Sequence, residues 1–429
     1  MASRTARKLR SKGAPSPDES LAPSRCRFCQ TELSETFVDL GAMPPANNYL
    51  RPADLARMEP YYPLHAYVCE ECQLVQLEEF QSPQQLFSDY AYFSSFSKSW
   101  LDHMKHYANN MIERFDLTDR SLVLEVASND GYLLQYFKKK RIPVLGIEPA
   151  ANIARAAKVR GIRTVEEFFG VNLARGLKED GNMADLLICN NVLAHVPDIN
   201  DFVAGLKQVL KPAGVLTVEF PHLLRLMSFN QFDTIYHEHF SYLSFLTVER
   251  IFAQHGITLV DVEELPTHGG SLRIYGRHEG TEAPTINVLK MREKEKAAGL
   301  ASIESYKGVA DKVKQTKRDL LRFLIGVREE GKSIVGYGAP AKGNTLLNYC
   351  GISTDFIDYT VDLSPHKQGL FLPGSRIPIL APETIFETKP DYILVLPWNL
   401  EEEIIGQMSA IRDWGGKFVI PIPEVRIVD

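Results

Sequence analysis

The stretch LVLEVASNDGYLLQYFKKKRIPVLGIEP, residues 122–149, constrains the fold more than any other part of the chain. A short apolar run stops in a turn of small and polar residues, a helix opens at Gly131, and a second apolar run ends on Glu148. Runs this short, bounded by turn residues and separated by one amphipathic helix, predict a strand–loop–helix–strand unit with parallel strands, in which a ligand lies over the carboxyl end of the first strand. An acid after the second strand stands where one carboxylate meets the two hydroxyls of a ribose.

More such units follow. ADLLICNNVLAHVPD and GVLTVEFPHLL read as strands, with INDFVAGLKQVLKPAG between them as a helix closing on Gly214. The alternation predicts an α/β fold with a mostly parallel, doubly wound sheet to about residue 225, extended by a helix and two strands in LTVERIFAQHGITLVDVEELPTHGGSLRIYG. The first loop lacks Gly-x-Gly-x-x-Gly, so a dinucleotide pyrophosphate is poorly served; S-adenosylmethionine, with a ribose and no phosphate, fits better. Glu148 is assigned to its ribose, Ser128, Asn129, Asp130 and Gly131 to the loop beneath it, and Asn190 and Asn191 to the same rim of the sheet. For Gly131 a plain turn, and for Glu148 an exposed strand end, are the alternatives.

From residue 279 to about 330 the pattern is helical, with Tyr306, Val309, Val313, Leu320, Leu324 and Val327 on one face. SIVGYGAPAKGNTLLNYCG then repeats the strand, glycine-rich loop and helix plan, predicting a second, smaller α/β domain. Its loop amides with Lys342, Gly343 and Asn344 are candidates for holding a phosphate, although a tight glycine turn would look the same. His268 and Arg273 are candidates for the cleft between the two domains.

Upstream, Cys26 and Cys29 pair with Cys69 and Cys72 as two Cys-x-x-Cys knuckles, the donor set of a structural, tetrahedral zinc site that leaves no open position for catalysis. The expected divisions are a disordered basic leader (1–22), a zinc-binding domain (23–85), a doubly wound S-adenosylmethionine-binding domain (86–278) and the C-terminal α/β domain (279–429). The leader, MASRTARKLRSKG, has no apolar stretch of a secretory signal. Six cysteines in 429 residues are too few for a disulfide framework, which points to the reducing cytoplasm. No apolar run reaches bilayer length, and a net charge of -6 offers no general attraction to nucleic acid. Neither a membrane nor a nucleic-acid partner is expected, and a monomer is.

Taken together, LEVASNDGYLL, GIEPAANIA, NNVLAHVPDINDFV, EFPHLLRL, QFDTIYHEHFSY, ELPTHGGSLRIY and GYGAPAKGNTLLNYCG resemble the three-domain, S-adenosylmethionine-dependent TDP-deoxysugar C-methyltransferases of antibiotic pathways, nearest to their C-3-methylating members. The resemblance runs from about Cys26 to the C-terminus. It implies a class I methyltransferase domain, a zinc-binding N-terminal domain and a C-terminal domain that helps hold a TDP-4-keto-deoxysugar, methylated at the carbon beside its ketone. It places the active-site groups at Tyr90, His195, Tyr236, Glu238 and His239.

The residues support that chemistry. A carbon must lose a proton before it can attack a sulfonium methyl group, and a hydrogen alpha to a ketone is the one a protein base can remove. An imidazole has the basicity for this near neutrality, so His239 is assigned as the base. Tyr236, Tyr90 and His195 are assigned to the charge growing on the ketone oxygen. Glu238, if the segment is extended, points to the opposite face and orients a group or ligand. A metalloprotease motif is excluded because Ser241 stands where the second histidine is needed. An NAD-dependent nucleotide-sugar oxidoreductase or epimerase and a zinc-knuckle RNA methyltransferase are the rival readings.

Overall fold

The computed structural model describes residues 24–87, 95 and 98–429, and three sheets organise them. The first is antiparallel, built from β1 (Glu35–Met43), β2 (Tyr62–Val68) and β3 (Val75–Leu77). In β2 every second side chain, Leu64, Ala66 and Val68, is buried, the period of a sheet with one face on a core. Its fourth strand, Ser241–Tyr242, arrives from far along the chain and pairs with β3.

The middle sheet takes β4 (Val123–Val126), β5 (Val144–Ile147), β6 (Thr164–Val165), β7 (Ala184–Asn190) and β8 (Leu210–Pro221). After β9, the strand lent to the first sheet, come β10 (Ile257–Leu265) and β11 (Ser271–His278). The order is β10-β11-β8-β7-β4-β5-β6, parallel from β6 to β8, with β11 antiparallel to both its neighbours. All four residues of β4 are buried, as a strand covered on both faces requires. Strand order reverses between β4 and β7, opening a crevice at their carboxyl ends. One expectation is corrected here: the helix after β7 ends at Val209, and the Lys-Pro-Ala-Gly stretch through Gly214 belongs to β8. Lys211 precedes Pro212, and a residue in that position is driven out of the helical region.

The third sheet is β12 (Ile334–Tyr337), β13 (Thr360–Val361), β14 (Ile379–Leu380), β15 (Tyr392–Val395), β16 (Lys417–Ile420) and β17 (Arg426–Val428). Its order, β14-β13-β12-β15-β16-β17, reverses at β12 in the same way, and only β17 is antiparallel. The helix Val309–Glu329 buries Val309, Val313, Leu320, Leu324 and Val327. One apolar cluster joins the first and third sheets through Phe232 and Ile235, while two others cover the faces of the middle sheet. The segment around residue 235 therefore sits where all three sheets meet. Among the described residues no helix is long and apolar enough to cross a membrane.

Candidate active site at the domain seam

The loop after β4 bends back on itself at Ala127, Asn129 and Gly131, all with positive φ. Glu148, just past β5, braces it: one carboxylate oxygen accepts the Asn129 amide at 3.1 Å and the other the Ala150 amide at 2.9 Å. Burial raises its pKa. Asp130 is fully buried and paired with Arg160 at 2.9 Å. Glu125, inside β4, was not singled out from sequence; burial holds its pKa well above the usual carboxylate value. Around this crevice Asp130 Oδ1, Glu125 Oε2, Asn190 Oδ1 and Asn191 Oδ1 are buried acceptors without a partner in the protein, and Ser128 Oγ is equally unpaired. Buried acceptors left open are costly unless a ligand supplies donors. An ammonium group and a ribose diol bring such donors, so the residues fit S-adenosylmethionine.

Tyr236, His237, Glu238 and His239 lie in a turn just before β9, not in an extended strand. The His239 amide donates to the Tyr236 carbonyl at 2.9 Å, which brings both side chains to the same side. His239 Nδ1 is 3.0 Å from the Thr234 carbonyl, which can only accept, so Nδ1 carries the proton and Nε2 presents its lone pair. The Tyr236 hydroxyl donates to Nε2 at 2.8 Å. Burial, reinforced by nearby His195, keeps the His239 pKa well below 6.5. The His195 ring packs edge-on at 4.7 Å between centroids, with burial lowering its pKa to about 4. Glu238 has a partner of its own: it accepts from Asn47 Nδ2 at 2.7 Å, its other oxygen lacks a partner, and burial lifts its pKa to about 7. His237 faces the first sheet, 3.2 Å from the Pro63 carbonyl. Tyr90 lies outside the described residues.

Across the seam, Lys342 reaches Asn399 at 2.6 Å and lies over the Trp398 ring, with burial lowering its pKa to about 8. The Trp398 indole donates to fully buried Asp233 at 2.7 Å; burial pushes that carboxyl up to about 6. Lys342, Gly343 and Asn344 belong not to the expected loop but to the first turn of the helix Ala341–Cys350; Gly343 is buried there, and Asn344 Nδ2 donates to the Ala46 carbonyl at 2.6 Å with Oδ1 unpaired. His268, at positive φ, packs edge-on to Trp100, and burial lowers its pKa to about 4. Arg273 lies inside the middle sheet, paired with Glu219 at 3.0 Å and Glu263 at 3.1 Å. Asn47, Asp233 and Trp398 carried no local signal in the sequence, because each matters through a partner more than 160 positions away.

The four cysteine sulfurs lie within 4.8 Å of one another, with Cys26–Cys72 and Cys29–Cys69 at 3.5 Å. Four thiolates at about 2.3 Å from one zinc stand about 3.8 Å apart, so the donor set fits a tetrahedral ion. The two knuckles also repeat each other. The Gln30 and Gln73 amides donate to Cys26 and Cys69 carbonyls at 2.9 Å, and both glutamines have positive φ.

Three family models match the chain: a zinc binding domain over residues 26–87, a methyltransferase domain over 100–262 and a C-methyltransferase C-terminal domain over 266–423. C-methyltransferase NovU of Streptomyces niveus is 37% identical over 408 residues, covering 94% of this chain and 96% of its own. The chain belongs to this C-methyltransferase family. S-adenosylmethionine is the methyl donor of this C-methyltransferase, and zinc its structural metal. Solved structures with a similar fold include the magnesium protoporphyrin IX methyltransferase of Synechocystis, at 14% identity over 42% of this chain and 79% of its own with a TM-score of 0.32. A S-adenosylmethionine-dependent methyltransferase of Archaeoglobus fulgidus matches at 13% over 41% of this chain and 93% of its own, TM-score 0.35. Scores this low add nothing to what the sheet order establishes.

Proposed function

We propose that this C-methyltransferase methylates a TDP-4-keto-deoxysugar at the carbon beside the ketone, C-3 in preference to C-5, in deoxysugar antibiotic biosynthesis. The Thr234–His239–Tyr236 chain of hydrogen bonds carries the reading. Its proton acceptor, His239 Nε2, is held in one tautomer and kept neutral at physiological pH.

When bound, S-adenosylmethionine supplies an electrophilic methyl group. The chain's own residues supply the rest. Glu148 with the 127–131 loop, Asn190 and Asn191 orient the donor's ribose and amino acid ends. A ketone entering the seam accepts the hydrogen bond that the Tyr236 hydroxyl now gives to Nε2, which frees the Nε2 lone pair for the neighbouring C–H. His239 removes that proton, and the electron pair shifts onto the ketone oxygen. Tyr236, His195 and Tyr90 stabilise the resulting enolate. The enolate carbon so formed is the nucleophile that a donor held by Glu148, the 127–131 loop, Asn190 and Asn191 would methylate. Glu238 holds the sugar with Asn47 behind it. Lys342 is still a cation at neutral pH and, with Gly343 and Asn344, meets the diphosphate. His268 lines the sugar side, and Arg273 acts there only through Glu219.

Turnover of TDP-4-keto-6-deoxyglucose and its 2-deoxy counterpart with a deuterated methyl donor tests the proposal, with NMR of the product to place the methyl group. Methyl-donor-free enzyme in heavy water should exchange the hydrogen at the same carbon. A methyl group on oxygen or nitrogen, or methylation without any exchangeable ring hydrogen, overturns it.

A further inference from the structure

Arg27 stands between the two cysteines of the first zinc knuckle, yet its side chain turns inward. Its guanidinium donates to the Pro197 carbonyl at 2.7 Å and to the Leu77 carbonyl, and lies over the Phe240 ring at 5.3 Å. Pro197 closely follows His195, and Phe240 directly follows His239. One side chain of the knuckle thus touches both segments that carry the paired histidines.

A second link runs through Gln76, which is 1% exposed and sits on β3 directly across from Ser241 of β9. Its amide nitrogen donates to Cys26 Sγ at 3.2 Å, and its oxygen accepts the Arg27 amide at 2.9 Å. The Leu77 amide of the same strand donates to the Phe240 carbonyl at 3.0 Å. Asn200, beyond His195, donates to the Phe28 carbonyl inside the knuckle at 2.9 Å. Two neutral imidazoles attract each other only weakly, so the 4.7 Å edge-on contact is set by how the two segments are held: by the hydrogen bond of His195 to the Glu238 backbone and by the footing of each segment's backbone.

We infer that the zinc knuckle is the register device of the His195–His239 pair, with Arg27 and Gln76 as positioning residues that transmit the geometry of the metal centre to the catalytic turn. This rests on the reading of those histidines given above. The knuckle does more than close a loop of the N-terminal sheet: it is a common footing for two segments that also meet directly, through the hydrogen bond of His195 to the Glu238 backbone. Small misplacements of a reacting group are expensive, so loosening that footing slows proton removal before it unfolds anything.

The test uses full-length Arg27→Ala, Arg27→Lys and Gln76→Leu, beside His239→Ala and His195→Ala. Zinc content by mass spectrometry, melting temperature, kcat, KM for both substrates, and hydrogen exchange at the sugar carbon in heavy water are read for each. Zinc content should match the wild type in the Arg27 variants, with kcat and exchange falling together by about 10- to 100-fold and the KM for S-adenosylmethionine unchanged. Gln76→Leu should additionally shift the thiolate-to-metal absorption band of the cobalt-substituted protein. If Arg27→Ala fails to fold, Arg27→Lys and Gln76→Leu carry the same expectation. Zinc-loaded, folded variants that turn over within about two-fold of wild type, or a loss of kcat that merely tracks loss of zinc, overturn the inference. Inactive histidine variants beside active Arg27 variants remove this inference alone; active histidine variants remove the functional reading with it.

Discussion

The middle and third sheets share one plan and use it differently. In both, an acid past the second strand braces the loop after the first: Glu148 accepts the Asn129 amide at 3.1 Å, and Asp362 accepts the Ala339 amide at 2.8 Å. In the middle sheet the surrounding acceptors are left open, on Asp130, Asn190 and Asn191. In the third sheet the protein fills the place itself. The Ala339 carbonyl accepts from Tyr49 at 2.6 Å and Lys367 at 2.8 Å, Lys367 also stands 3.6 Å from Asp362, and Pro397 packs against Gly338. The same loop and acid thus make a ligand crevice in one sheet and a joint to the N-terminal sheet in the other. What separates them is whether the polar atoms are already satisfied.

That contrast can be broken most directly at the proton carriers. His239→Ala, beside the open crevice, should lower kcat about a thousand-fold while S-adenosylmethionine binding by calorimetry stays intact. Lys367→Ala, beside the filled one, should keep turnover within a few-fold; equal losses would erase the distinction. Next comes Glu238, which unlike Asp362 has no cation beside it. Its pKa is raised by burial from 4.5 to about 7, so the folded state holds the proton more tightly and loses stability as pH rises through that window. The effect is worth about 3 kcal/mol. Glu238→Gln should therefore melt higher than wild type at pH 8 and show the gap shrinking toward pH 5. A gap that does not change with pH would mean the carboxyl is not desolvated.

Smaller effects sharpen the comparison. Glu148→Ala should weaken S-adenosylmethionine binding about 30-fold, roughly 2 kcal/mol, through loss of the ribose contacts and the loop brace. Asp362→Ala should leave that affinity unchanged. Smallest are the two loop glycines, Gly131 at φ +77 and Gly338 at φ +86. Alanine at either costs about 1–2 kcal/mol from the left-handed backbone. The added methyl group meets the Ile162 side chain in the first case and the Pro397 ring in the second. Isoleucine can rotate aside and a proline ring cannot, so Gly338→Ala should melt lower, yet only Gly131→Ala should weaken cofactor binding.

Much of this was legible in the sequence where information is local. Strands buried on both faces are continuous apolar runs, so β4, β5 and β7 announce themselves, as does the acid after β5. The four cysteines read out from spacing alone. Two things were not legible. Gly336 ends up in β12 and Gly343 in the helix Ala341–Cys350, so the loop between them is short, and nothing nearby tells that Tyr49 and Lys367 take up the Ala339 carbonyl. Arg273 reads as a charge in an extended strand, but its carboxylate partners are set by sheet register, which depends on how β8, β10 and β11 align. Conformation within one element follows from its own residues; pairing across the seam is a property of the assembled fold.

The loan of β9 to the first sheet bears on how such proteins can be recombined. A chimera that exchanges only the N-terminal third would leave a foreign edge strand facing residues 241–242 and a mismatched apolar wall against the C-terminal third. On the ribosome, likewise, the cysteine-bearing segment emerges with an unpartnered edge and waits for its last strand until most of the middle third has been translated. Parental blocks meant to function together must therefore be cut by contact, not by position along the gene.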